Sequence, residues 1–298
     1  MSFSRLSRRR FLIASSGAVA ATGLAACSNA SDESSSATTN SVEPVAVGAV
    51  SPPPGVDEIT VAAVQAEPVW FDLDGTTSKT VDLIAEAAAG GASVVAFPET
   101  WLPGYPTFMW LGDESYQAPF RATYLANSVV AGGKHNQEIE QAAADHGIHV
   151  VLGLSERDGD DLYMGMWIID DRGQTVLRRR KAKPSGKEWD LYRSGTADDV
   201  AVVATSAGNI GALSCNENRR PLLRDRLYRQ NEQIHVAAWP HFGLYPSVHE
   251  MSAVTSMESS AQYAAEGSVL TLAPSIVSTP AFRDLLRIPE GEDHLLLD

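Results

Sequence analysis

Cysteine is nearly absent from this chain: Cys27 and Cys215 are the only two in 298 residues. If Cys27 is modified, as argued below, no intramolecular disulfide is possible and Cys215 is a free thiol. Positive charge is also scarce, with 23 Lys and Arg against 37 Asp and Glu and a formal net charge of −14. No stretch clusters basic with aromatic residues, so nucleic-acid binding is set aside. The acidity bears on solubility and on repulsion of anionic partners, not on fold. There is no Gly-rich phosphate loop and no serine on a nucleophile-elbow motif. The pairs His146/His149 and His241/His249 lack further acid or cysteine ligands at metal-site spacing, so no metal is expected. The apolar run Phe11 to Ala26 is too short, and too rich in Ala, Ser and Gly, for a membrane span. No internal repeat is present.

What remains is a chain with 44% hydrophobic residues, enough for one large α/β domain or two small ones. Its N-terminus stands apart. Ser7-Arg8-Arg9-Arg10-Phe11-Leu12 is a twin-arginine pattern, and Leu24-Ala25-Ala26-Cys27 resembles a bacterial lipobox. That resemblance implies cleavage before Cys27 and a lipid on its sulfur, with a plain signal peptide or an uncleaved anchor as the alternatives. Residues 28–56 are rich in Ser, Thr, Ala and Pro with almost nothing large to bury, as in a disordered tether. The expected organisation is a signal over 1–27, a tether over 28–56 and a domain over 57–298. The expected location is extracytoplasmic, by the twin-arginine route, held to the membrane through Cys27. Residues 1–26 carry four arginines and no acids, so the exported part is near −18.

Within the domain, Ile59 to Gln65 reads as a buried strand and Thr76 to Ala89 as a helix with Val81, Ile84, Ala85 and Ala88 inward. Ser93 to Phe97 is a second buried strand, so the domain opens as a βαβ unit with parallel strands. Lys134 to His146 reads as a helix with Ile139, Ala142 and Ala143 inward, and His149 to Leu154 and Leu162 to Ile169 as strands. Asp170 to Gly173 is a hairpin turn into Thr175 to Leu177. Asn209 to Ser214 leads to Cys215. A helix over Pro221 to Gln230, a strand over Ile234 to Ala238 and a corner at Trp239 to Phe242 follow. Helical pattern returns over Val248 to Ala265, before a strand over Val269 to Ala273.

Three residues fall at strand ends. Cys215, between a strand and a helix, sits among unpaired backbone N–H groups that lower a thiol pKa and can hold an oxyanion. A small buried hydrophobe is the other reading of a lone cysteine. Glu99, in Pro98-Glu99-Thr100-Trp101, is at the carboxyl edge of a parallel strand, where burial raises a carboxyl pKa toward that of a general base. It also fits a helix cap. The run Arg178-Arg179-Arg180-Lys181-Ala182-Lys183 is either a solvated face or a strand end with alternate side chains inward. A carboxylate, an ammonium and a thiol together suit nucleophilic attack on a carbon–nitrogen bond. Glu99 would take the thiol proton, Lys181 would stabilise the tetrahedral anion, and the backbone N–H of Asn216 could complete the anion hole.

The words VAAVQAEPVWFDLD, VVAFPETWLPGYP, GLSERDG, LYMG, RRRKAKP, IGALSCNEN and NEQIHVAAWP occur in that order. Together, from Ile59 to about Pro280, they resemble the nitrilase branch of the carbon–nitrogen hydrolase superfamily. The resemblance implies a four-layer α-β-β-α sandwich that usually dimerises or assembles further. It implies Glu99 as general base, Lys181 as triad lysine, Cys215 as nucleophile and Glu188 as a supporting glutamate. Tyr105 and Trp239 would line the pocket, and plain core aromatics are the other reading of both. The implied reaction converts a nitrile to an acid and ammonia through a thioimidate and a thioester, without a cofactor. An amidase or carbamoyl hydrolase with the same triad, or an inactive binding protein of the same fold, are the alternatives.

Three features depart from the family pattern. Asn216 stands where that branch usually has Trp, although Glu217 and Asn218 match. Ser185-Gly186-Lys187-Glu188-Trp189 keeps the glutamate without its usual neighbours. The C-terminal β-hairpin that completes the sandwich is not recognisable in Ile288 to Asp298, and its loss would expose apolar strand edges.

Overall fold

The computed structural model describes residues 2–7, 58–241 and 252–287. The expected signal and tether lie outside the described residues except for 2–7, as do Phe242 to Met251 and the tail 288–298.

Two six-stranded sheets form the centre. The first has the order β1 (Ser2–Ser7), β2 (Glu58–Ala63), β4 (Val94–Ala96), β5 (His149–Asp158), β6 (Asp161–Ile169), β7 (Thr175–Arg180). Its β2, β4 and β5 are parallel, as the βαβ opening predicts, and β6 and β7 continue as antiparallel hairpins. The second sheet runs β3 (Gln65–Ala66), β12 (Ser275–Ile276), β10 (Ile234–His241), β9 (Gly208–Ser214), β8 (Val203–Thr205), with β11 (Leu270–Leu272) also on β10. The single strand expected over Ile59 to Gln65 is therefore split. Val64 donates to Ala96 O in the first sheet and accepts from Ser275 N in the second, so the chain changes sheet there. The corner expected over Trp239 to Phe242 does not start at Trp239, because β10 runs on through Trp239 and Pro240 to His241, and Phe242 lies outside the described residues. Pairing of Trp239 with Ser275 on β12 keeps the chain extended.

Strand periodicity decides which sheet face meets which layer. Val94 and Ala96 join Val61, Val151, Met166 and Ile168 against Ile210, Ala212, Val236 and Ala238 of the second sheet. Val95 and Phe97 turn the other way, toward Ile84 and Ala87 of α1 (Leu73–Ala89), Tyr124 of α2 (Glu114–Ala126), and Ile139 and Ala143 of α3 (Lys134–His146). On the outer face of the second sheet, Leu213 packs with Leu227 of α4 (Pro221–Tyr228) and Tyr263 of α5 (Ala253–Gly267). The result is the expected α-β-β-α sandwich. α2 has no counterpart in the sequence reading: Pro119 lies inside it and only Gln117 and Tyr124 are buried, so it carries no apolar period. After β12 the described chain forms α6 (Pro280–Leu286), whose Phe282 stacks on Trp70 at 3.6 Å. The expectation about the C-terminal hairpin otherwise bears on residues outside the described ones.

One glycine positions the sheet edge where the site forms. A Cβ on Gly153 of β5 would lie 1.9 Å from Pro98 O and 2.9 Å from Glu99 Cα, so only glycine lets the Glu99 loop settle on β5. Gly153→Ala is expected to cost about 1–3 kcal/mol of stability. Displacing Glu99 by about 1 Å should lower activity on the order of 10²-fold. Urea unfolding and steady-state kinetics of the variant check both.

Candidate active site

Glu99 leaves the end of β4 in a loop anchored to both sheets. Its N–H donates to Trp239 O at 3.3 Å, Leu102 N–H donates to Gly153 O at 3.4 Å while Leu102 O accepts from Ser155 N at 2.7 Å, and the Trp101 indole donates to Thr80 Oγ1 at 2.8 Å. The carboxylate is buried.

The basic run resolves by alternation. Arg178 and Arg180 face outward, over the Trp167 and Tyr163 rings, while the side chains of Arg179 and Lys181 are fully buried. Lys181 Nζ donates to Glu99 Oε1 at 2.9 Å and to Glu188 Oε2 at 2.8 Å. Glu188 sits in a 3₁₀ turn, Gly186–Asp190, where its Oε2 also accepts from Ser185 N at 2.6 Å. The Tyr105 hydroxyl donates to Glu188 Oε1 at 3.1 Å and accepts from the Trp110 indole at 3.2 Å. The altered loop around Glu188 thus still holds its carboxylate from three sides.

Cys215 follows β9 with φ +45°, a left-handed conformation that a non-glycine residue rarely adopts, and opens the 3₁₀ turn Cys215–Arg219. Two residues downstream, Glu217 locks this corner to β7. Arg179 Nη2 donates to both its oxygens at 2.7 and 2.8 Å, and its carboxylate accepts from Ala182 N and Ser214 N. Sequence reasoning did not single out Arg179. The strand alternation that turned Lys181 inward applied to it equally.

Electrostatics set the proton distribution. Burial pushes the Glu99 carboxyl up to about 8, against the pull of the Lys181 ammonium. Desolvation and then the Glu99 charge push the Cys215 thiol well up, with Lys181 and the Asn216 N–H pulling the other way. The expectation that the N–H groups at this corner lower the thiol pKa is thereby corrected. The Asn216 N–H acts in that direction but is outweighed by desolvation and two carboxylates, although Cys215 keeps part of its surface accessible. Burial disfavours the Lys181 ammonium, but Glu188 and Glu99 more than restore it, so the lysine stays charged. The Tyr105 phenol is raised by burial and by Glu188 and stays a donor.

Glu99, Lys181, Glu188, Cys215, the Asn216 N–H and Tyr105 are thus gathered at one end of the two sheets. Trp239 is placed differently. It is buried on β10 with its indole donating to Ser260 Oγ of α5 at 3.0 Å, and it meets Glu99 through main chain. Glu99 Oε2 is buried without a hydrogen-bond partner, while Oε1 is engaged. A carboxylate with one oxygen free beside a protonated thiol can accept its proton, and a fixed ammonium can hold a developing anion. Among the described residues, no group of three or more His, Cys, Asp or Glu side chains is placed to hold a metal ion.

Comparisons with known proteins give the family. The carbon-nitrogen hydrolase profile matches residues 60–275. A nitrilase of Pseudomonas syringae is 42% identical over 80% of this chain and 72% of its own length. An aliphatic nitrilase of Rhodococcus rhodochrous is 43% identical over 74% of this chain and 61% of its own length. In structure, an amidase from Nesterenkonia sp. superposes with a TM-score of 0.55 at 16% identity, over 74% of this chain and 75% of the amidase. The fold is thus shared well beyond recognisable sequence, whereas the sequence likeness is to nitrilases. This chain belongs to the carbon-nitrogen hydrolase family, on its nitrilase branch.

Proposed function

We propose that the protein hydrolyses a nitrile to a carboxylic acid and ammonia, with Cys215 as nucleophile. The observation that carries this reading is a buried Glu99 whose Oε2 has no hydrogen-bond partner while its Oε1 is held by Lys181, itself held by Glu188. Glu99 takes the thiol proton as sulfur attacks the nitrile carbon, and returns it to nitrogen to give a thioimidate. Water adds to that carbon with Glu99 as base. The nitrogen is protonated and leaves as ammonia, giving a thioester. A second water cleaves the carbon–sulfur bond, releasing the acid and restoring the thiol. Lys181 Nζ and the Asn216 N–H hold the negative charge of each tetrahedral species, and Glu188 holds Lys181 in place. Tyr105 fixes Glu188, and with it the pocket wall. The names of the nitrilases of comparable sequence support a nitrile over an amide.

Ammonia release by the full chain from aliphatic and aromatic nitriles and their matching amides, beside Cys215→Ala, tests this. Release from nitriles that vanishes in the variant is expected. Faster release from amides would assign an amidase, and no release from folded protein would leave a binding role.

The raised Glu99 carboxyl gives two opposite pH dependences. As a base it works ionised, so turnover should rise with pH through about 8. For stability the sign is reversed. A carboxyl raised from 4.5 to about 8 takes up a proton on folding, so its contribution is full below 4.5 and lost as pH rises to about 8. Glu99→Gln should remove that fall in stability. A pH series of urea midpoints on both proteins, with a rate profile of the unsubstituted one, reads both.

We further propose export by the twin-arginine route, with a lipid on Cys27 and residues 28–56 tethering the domain 57–298; cleavage before Cys27 would remove the edge strand β1 and leave β2 as the edge of the first sheet. The pattern around Arg8-Arg9 and Leu24-Ala25-Ala26-Cys27 supports this. A mature chain starting at an acylated Cys27 in the membrane fraction is the expected result by mass spectrometry. We also propose a homo-oligomer, because Leu222 on α4 and Val254 and Met257 on α5 are 84%, 57% and 62% exposed. Light scattering gives the state.

A further inference from the structure

Behind the nucleophile corner lies a buried polar network that none of the proposed chemical steps uses. Asn218, in the 3₁₀ turn begun by Cys215, has no exposed surface, and its Nδ2 donates to Leu213 O at 3.2 Å and to Cys215 O at 3.0 Å. Its Oδ1 meets His235 Nε2 at 2.8 Å, and His235 Nδ1 meets Glu232 Oε1 at 2.7 Å. Tyr263 of α5 donates its phenol to Glu232 Oε2 at 2.5 Å and stacks its ring on the imidazole, centroids 3.5 Å apart. The side chains of His235 and Glu232 are fully buried. Gly211, the register partner of His235 on β9, makes room: a Cβ there would lie 2.1 Å from Glu232 Oε1.

The proton directions in this chain are fixed by its ends. Reversing the Asn218 amide would set its oxygen against two carbonyl oxygens, so Nδ2 faces Leu213 and Cys215 and Oδ1 is an acceptor. His235 Nε2 therefore carries a hydrogen. On its other side a single proton lies between Nδ1 and Glu232 Oε1, and Tyr263 fills the second carboxylate oxygen. Each group thus orders the next, and the last bond of the chain ends on the carbonyl of the nucleophile itself, whose backbone is in the left-handed region.

We infer that Glu232 and His235 are positioning residues for Cys215. They orient the Asn218 amide, which holds the Cys215 main chain in the strained conformation that aims the sulfur and the Asn216 N–H at one point. Neither touches the reacting atoms. This inference rests on Cys215 as the nucleophile, but its first readout needs no substrate.

The test is the rate of Cys215 alkylation by iodoacetamide, followed by intact mass in the full chain, together with kcat and KM on the best nitrile. His235→Phe keeps a flat ring against Tyr263 but has no N–H. Alkylation and kcat are expected to fall at least thirtyfold, with KM within threefold. His235→Gln, whose amide nitrogen can replace Nε2–H, is expected to recover to within fivefold of the unsubstituted protein. A His235→Phe protein that melts lower yet is alkylated at the original rate would reduce the network to packing and overturn the inference. If His235→Phe does not fold, nitrogen-15 histidine spectra of the unsubstituted protein decide. A protonated Nε2 coupled to the Asn218 amide supports the inference, and a bare Nε2 overturns it. An absence of nitrile turnover with the alkylation pattern intact would contradict the proposed substrate and leave the positioning role standing.

Discussion

Lys181→Met is expected to lower turnover on the order of 10³-fold, because it removes the fixed charge proposed to face each tetrahedral anion. The same substitution leaves Glu99 and Glu188 without the cation that both contact within 2.9 Å in a fully buried setting. Breaking a buried pair by removing one partner costs about 3–5 kcal/mol. That loss should be largest above pH 8 and smaller near pH 5, where the Glu99 carboxyl, raised to about 8, is protonated. Urea midpoints at the two pH values, beside kcat, separate the effects. A variant with less than a tenfold loss in kcat would contradict a charge-stabilising role for Lys181.

Arg179→Met should be nearly as damaging to the fold while touching no reacting atom. The guanidinium is completely buried, grips both oxygens of Glu217 and donates to Ala212 O at 3.2 Å. Its loss strands the Glu217 carboxylate in the core, at a cost of about 3–5 kcal/mol. The corner bearing Cys215 loses its tie to β7, so activity should fall with stability. Glu217→Gln in the Arg179→Met background should recover part of the stability, because the uncompensated charge is then gone. A double-mutant cycle on urea midpoints measures that coupling. Additive losses would show that the pair does not act as a unit.

How far the sequence reveals this arrangement depends on the range of the interactions. Short-range signals were legible. The helix over Lys134 to His146 has its bounds as expected, since an apolar stripe runs to a left-handed Gly147. The alternation that turns Lys181 inward could be read from a period of two, and the elbow at Cys215 from the small residues leading up to it. Long-range partners were not legible. Glu217 and Arg179 lie 38 positions apart, and Tyr105 and Glu188 83 apart, and nothing in either neighbourhood marks the other. α2 was missed because polar residues and Pro119 hide its buried side. The thiol pKa was misjudged for a related reason. Backbone N–H groups at a strand end are a local feature, whereas the desolvation and the carboxylates that outweigh them arise from the packing of both sheets.

The proposed carbon–nitrogen hydrolysis passes through a covalent bond to Cys215. Acid-quenching the full chain during turnover of a nitrile, then digesting it and weighing the peptide that contains Cys215, looks for that bond itself. A peptide heavier by the acyl or imidoyl group of the nitrile used is expected, absent when Cys215 is replaced by Ala. Undiminished turnover by Cys215→Ala, with no adduct at Cys215 in the unsubstituted protein, would contradict that covalent route.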